Sequence, residues 1–166
     1  MARPEVRKNP YAAFNFAFEV MQPPLAGVTE PITTGAFMEA SGLDGEHAVI
    51  EYREGTDQVA ENAGNFVRKL AGLEKYPNVT LRRGITGHAG LWQWRQLVRD
   101  KPASRDDYLR DVRITLRDEN HKAVMTWKLT AAWPCKLSGP SLNAKASEIA
   151  IETLELCCER IEIEMQ

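Results

Sequence analysis

The chain alternates. Phe14, Phe16, Phe18 and Val20 fall on one side of a strand, with Asn15, Ala17, Glu19 and Met21 on the other, the pattern of a half-buried antiparallel strand. The same period of two returns in Val79 and Leu81, in Val112, Ile114 and Leu116 against Arg113, Thr115 and Arg117, and in Met125, Trp127, Leu129 and Ala131 against Thr126, Lys128 and Thr130. The last two segments flank Asp118 to Lys122 and read as a hairpin. A further strand is predicted from about Thr33 to Leu43, turning at Asp44-Gly45 into Glu46 to Glu54 as a tight hairpin. Pro134 marks a bend. After a turn at Gly139-Pro140, the segments 148–156 and 161–164 favour extended structure, because β-branched residues alternate with glutamates.

Two stretches break the alternation. Leu91, Trp94, Leu97 and Val98 recur at three and four, which predicts one helix over about 90–100, stopped before Pro102. Trp94 shares the apolar face, so Trp92, two positions away, is expected to be more exposed. Residues 55–76, punctuated by Gly55, Gly64 and Gly72, read as a long loop that carries Phe66, Val67, Leu70 and Leu73. Loops of that length in compact domains are usually functional or disordered. The expected fold is mainly β: a small antiparallel β-barrel of about seven or eight strands, one flanking helix and that apolar loop, in a single domain over 1–166.

Composition narrows the role. The 166 residues hold 21 Lys plus Arg against 23 Asp plus Glu, a net charge of −2, with 43% hydrophobic and 27% charged residues. A core is therefore affordable in apolar material, and the basic surplus of a nucleic-acid binder is missing. No signal peptide or membrane-spanning run is expected, which points to cytoplasmic synthesis. Cys135, Cys157 and Cys158 have no disulfide or metal spacing, and His47, His88 and His121 are expected at the surface. No phosphate loop, nucleophile elbow or acid/base pair is found, so no catalytic residue, metal or cofactor is assigned.

Ordered blocks carry a resemblance. Asn9-Pro10-Tyr11, Phe14-Asn15-Phe16, Gly35-Ala36-Phe37, Ser41-Gly42-Leu43 and Glu51-Tyr52-Arg53-Glu54-Gly55 resemble the tail tube proteins of contractile bacteriophages and the inner tube proteins of phage-tail-like contractile injection systems. So do Arg68 to Leu73, Lys75 to Gly84, Leu91 to Trp94, Arg113 to Leu116, Trp127 to Leu129, Ala132 to Lys136 and Ala150 to Leu156. The resemblance runs from about Asn9 to Ile163. It implies a structural subunit that forms hexameric rings, their sheets merging into an inner wall, stacked head to tail inside a contractile sheath. Implied partners are further copies of itself, a sheath protein, baseplate or spike hub and tube-terminating proteins, with protein cargo or phage DNA in the passage, as part of a virion or phage-tail-like particle. The related haemolysin-coregulated protein of type VI secretion is one alternative, and a monomeric barrel binding a small apolar ligand is another.

Within that frame Asn15, Ala17 and Glu19 are expected to face the lumen, since a passage suits small or polar side chains. Phe66, Val67, Leu70, Leu73 and Trp92 are expected at contacts between rings or subunits. Arg82, Arg83, Arg95 and Arg99 are candidates for intersubunit ion pairs or a solvated surface.

Overall fold

The computed structural model describes residues 9–21, 25, 28, 32, 37–53, 67–145 and 148–165. In chain order these form β1 (Phe16–Val20), β2 (Phe37–Ser41), β3 (Glu46–Arg53), β4 (Val67–Lys75), β5 (Val79–Gly84), α1 (Gly90–Asp100), the single turn α2 (Arg105–Tyr108), β6 (Arg110–Arg117), β7 (Ala123–Ser138), β8 (Ile151–Cys157) and β9 (Arg160–Met165). The fold is mainly β and antiparallel throughout, with the helix where the three-and-four spacing predicts it.

The 16-residue β7 organises the rest. Its first half pairs with β6 on one side and β9 on the other, and its second half pairs with β8. Between the halves Ala131 adopts φ 52° and the register shifts between Pro134 and Lys136. A proline cannot donate to a ladder and is tolerated at such an irregularity. Two sheets consequently share one bent strand: β1-β6-β7-β9 and β7-β8-β5-β2. Between them Phe18, Val112, Ile114 and Leu129 meet Val79, Leu81, Leu154 and Leu156, all buried. The strands β1 and β2 do not pair but approach through side chains, with the Phe18 and Phe37 rings 4.8 Å apart. Leu91 and Trp94 of α1 enter the same core, and Trp94 Nε1 donates to the Tyr108 carbonyl at 2.7 Å.

The pairing departs from the expected one in four places. Asp44-Gly45 does not close a hairpin, because β2 pairs with β5 and β3 with β4. Gly42 explains the departure: at φ 79° it lies so close to the Asn78 carbonyl that a Cβ there would stand 2.4 Å away, so the end of β2 is tied to the start of β5. Residues 55–76 are not one loop, since Val67–Lys75 is β4. Both faces of that ribbon meet solvent, so no polar-apolar alternation exists to announce it. Phe14 precedes β1 and is 82% exposed, outside the core it was expected to join. Nine strands stand among the described residues, where about seven or eight are expected. Phe66 and the predicted strand start at 33–36 lie outside the described residues.

Candidate assembly surfaces

β3 and β4 form a separate two-stranded sheet. The ladder pairs Val49 with Ala71, Ile50 with Leu70 and Tyr52 with Arg68, and slips between His47 and Val49. At the slip Gly72 packs against the Ala48 carbonyl, where a Cβ would come within 2.7 Å. This arm is kept apolar yet uncovered: Val49, Ile50, Val67, Leu70 and Leu73 are all exposed, Leu73 to 81%. A two-stranded ribbon alone is at best marginally stable in water. An ion pair on the arm, Lys69 with Glu51 at 3.3 Å, has both side chains more than half exposed and adds less than about 1 kcal/mol. Val67, Leu70 and Leu73 thus share one strand, Val67 and Leu70 on its opposite faces, whereas Trp92 stands apart on α1, 42% exposed, with its indole N–H donated to Glu152 Oε2 at 3.1 Å.

The second surface is the outer face of β1-β6-β7-β9. Ladder register aligns Ala17, Thr115, Thr126 and Glu164 in one row across the four strands, and Glu19, Arg113, Lys128 and Glu162 in the next. Thr115 and Thr126 hydroxyls lie 3.3 Å apart, and Asn15 Nδ2 donates to the Asp118 carbonyl at 2.7 Å. A shallow depression of about 270 Å³ is lined by Glu19, Arg113, Arg117, His121 and Glu164 among others. Asn15, Ala17 and Glu19 therefore form one margin of a polar wall whose other strands sequence reasoning did not single out. The signal was present in Arg113-Thr115-Arg117 and Thr126-Lys128-Thr130, which alternate against apolar neighbours.

Of the four arginines weighed between intersubunit ion pairs and a solvated surface, Arg83 is inside the protein. It shares the inward face of β5 with Val79 and Leu81, and it lies opposite Glu152 in the ladder. Arg83 Nε donates to Glu152 Oε1, the side chains being 7% and 3% exposed. The guanidinium also sits 5.9 Å from the Phe37 ring centroid and donates to the His88 carbonyl at 3.4 Å. Arg82 pairs with Glu39 at 3.0 Å and Arg99 with Asp100 at 2.8 Å, both at the surface. Cys135, Cys157 and Cys158 are free thiols, and burial pushes Cys158 up to about 11.

These surfaces, a polar face, an apolar arm and strand edges, suit self-association. Among the described residues no group of three or more His, Cys, Asp or Glu could hold a metal ion. No helix among them is long and apolar enough to cross a membrane. The family model described as "T4-like virus tail tube protein gp19" matches residues 12–162. Among solved structures, a chain of the PVC sheath-tube complex of an extracellular contractile injection system, in the extended state, is 24% identical with a TM-score of 0.76, over 96% of this chain and 94% of that one. A chain of the anti-feeding prophage cap is 25% identical at TM-score 0.76, over 99% and 97%. Hcp1 from Flavobacterium johnsoniae shares the fold more distantly, at 10% identity and TM-score 0.50 over 91% and 95%. No curated protein matches the sequence.

Proposed function

We propose that this chain, which belongs to the T4-like virus tail tube protein gp19 family, forms hexameric rings that stack head to tail into the inner tube of a phage-tail-like contractile particle. A structural role in a tube, not an enzymatic one, comes with the family. The observation that carries the finer reading is the four-stranded sheet β1-β6-β7-β9, apolar on its inner face and polar on its outer face, with no further strand paired to the outer side of β1 or β9 among the described residues. Open edges invite pairing, and a ring of copies removes them. The polar rows of Ala17 and Glu19 then line the passage. The exposed β3–β4 arm is available to reach the next ring, so Val67, Leu70 and Leu73, with Phe66 beside them in sequence, belong to the axial contact. Trp92 is left for a neighbouring subunit or a sheath. A sheath, a baseplate and a terminating cap are the partners such a tube requires, as the assemblies that hold its structural neighbours support.

Negative-stain microscopy of purified protein tests this reading. Wild type is expected to give rings and tubes, and Leu73→Asp, a substitution at an 81% exposed position, to give rings that do not lengthen. Long tubes from Leu73→Asp remove the arm from the axial contact. A wild-type protein that stays monomeric at high concentration favours the ligand-binding barrel and overturns the tube.

A further inference from the structure

We infer that neighbouring subunits join by adding β9 of one copy to β1 of the next, in the register that sets Phe16 opposite Ile163 and Glu19 opposite Arg160. The inference rests on the tube reading and specifies its lateral contact.

Backbone direction comes first. Arg117 N donates to the Asn15 carbonyl and Met21 N to the Asp111 carbonyl, both at 2.8 Å. Odd-numbered residues of β1 therefore turn their peptide groups toward β6, and the alternation of an antiparallel ladder turns those of Phe16, Phe18 and Val20 to the open edge. The same alternation carried across β6 and β7 turns Val112, Ile114 and Leu116 to β7, and Thr126, Lys128 and Thr130 to β9. Arg160, Glu162 and Glu164 then face β7, while the peptide groups of Ile161, Ile163 and Met165 face outward. Because each neighbouring pair is antiparallel, β9 runs opposite to β1. A β9 from the next copy thus meets β1 antiparallel, donors and acceptors aligned.

Side-chain direction agrees. The outward-bonding residues of both edges, Phe16 and Phe18 on β1 and Ile161 and Ile163 on β9, also share the apolar side of the sheet, so a joined sheet keeps one apolar and one polar face. With Phe16 opposite Ile163, Phe14 meets Met165 and Phe18 meets Ile161. Phe14, Met165 and Ile163 are 82%, 79% and 58% exposed in the free subunit, and this contact covers all three. An apolar cleft of about 380 Å³ along the same edge, lined by Tyr11, Ala13, Phe16, Met38 and Trp127 among others, receives the Met165 end.

Charge selects the register. On the polar face the pairs become Asn15 with Glu164, Ala17 with Glu162, and Glu19 with Arg160. A slip of two residues one way brings Glu19 against Glu162, like against like, and a slip the other way leaves Glu19 opposite Cys158 and Arg160 opposite Ala17. Both partners are accessible: Glu19 is 45% exposed and 4.0 Å from Arg117, and Arg160 is 64% exposed and 3.1 Å from Glu162 of its own chain. In the joined sheet Arg160 lies between two carboxylates.

Two experiments on the full chain test the register. Ala17 and Glu162 form a pair whose peptide groups point away from each other, the site of closest Cα approach and within disulfide reach. Ala17→Cys with Glu162→Cys, oxidised with copper phenanthroline, is expected to give a ladder of covalent multimers on a non-reducing gel, and Ala17→Cys with Glu164→Cys to give none. Glu19→Arg and Arg160→Glu are each expected to abolish rings by microscopy, and the two together in one chain to restore them. Within a chain these residues stand on opposite edges of the sheet, so a merely local role gives additive damage without rescue. Rings in wild type with a ladder from the Glu164→Cys pair alone, or with no rescue by the double reversal, overturn the register and leave the tube standing. A monomeric wild type overturns both.

Discussion

Removing Glu152 should unfold the subunit more readily than removing any exposed carboxylate. In Glu152→Ala, Arg83 remains 6% exposed with its main counter-ion gone. Breaking one side of a buried pair costs about 3–5 kcal/mol, because a charge stays desolvated. Trp92 also loses an acceptor, but it is 42% exposed and water replaces the carboxylate, so that loss adds well under about 1 kcal/mol. At roughly 2–4 °C for each kcal/mol in a domain of this size, the melting temperature should fall by about 6–20 °C. Glu39→Ala, which breaks the surface pair with Arg82, should cost about 1 kcal/mol at most. Replacing both interior partners, Arg83→Met with Glu152→Leu, should recover most of the loss, since no charge is then buried. Urea unfolding of dilute, unassembled protein is the assay, because assembly adds concentration-dependent stability of its own. Equal small losses for Glu152→Ala and Glu39→Ala would show that Arg83 reaches water when its partner leaves, and the reasoning fails.

Two further expectations concern single side chains. In variants keeping one tryptophan, the others changed to Phe, Trp92 emission should shift to the blue on assembly, while Trp94, 0% exposed, should emit alike in subunit and tube. Equal responses remove Trp92 from the contact. Burial raises the Cys158 thiol from 9.0 to about 11, so its thiolate is scarce near neutrality and its labelling by a thiol reagent in the native subunit should climb about tenfold per pH unit up to that value. The linked stability is fully present below about 9, the unfolded value, and is lost as pH rises through about 11. A labelling rate that levels off below about pH 9 contradicts the shift.

Legibility followed solvent exposure. β1, β5, β6 and β7 have one face on the core and one outside it, and each showed as alternation in the sequence; β8 showed as extended, but with Ile151 and Thr153 set against Glu152, whereas Glu152, Leu154 and Leu156 are its buried face. α1 showed because Leu91 and Trp94 are buried and Trp92 is not. β4 did not show, since Leu70 and Leu73 face solvent just as Lys69 does, and its pairing with β3 spans residues 54–66. Phe14 looked like core because it continues the parity of Phe16 and Phe18, yet the strand begins after it. Arg83 looked like surface because charge usually is, although Val79-Leu81-Arg83 and Glu152-Leu154-Leu156 keep strict parity. A charge that holds its place in an apolar series, opposite its counter-charge, marks a buried pair. Recognising that requires the ladder between β5 and β8, which no local pattern supplies. For the same reason Ala17 and Glu19 were found on the polar side, whereas the rows they begin became visible only with four strands in register.

The exposed apolar side chains then divide by direction. Phe14, Ile163 and Met165 lie along the two edges that the described residues leave unpaired in one sheet, and a contact between unlike edges is heterologous, giving a ring where its rotation closes. Ile50, Leu70 and Leu73 lie on an arm outside that sheet, so the axial contact proposed for the arm is not used up by ring closure. Charge sets the remaining condition, because any net charge per copy is multiplied by the number of copies. The row Glu19, Arg113, Lys128 and Glu162 carries two charges of each sign, so that row adds none, and the whole chain carries only −2. A wall of one sign would have to be balanced elsewhere on every subunit. Here neutrality is built across the strands of a single row, and the Glu19 to Arg160 contact would extend the same balance from each subunit to the next.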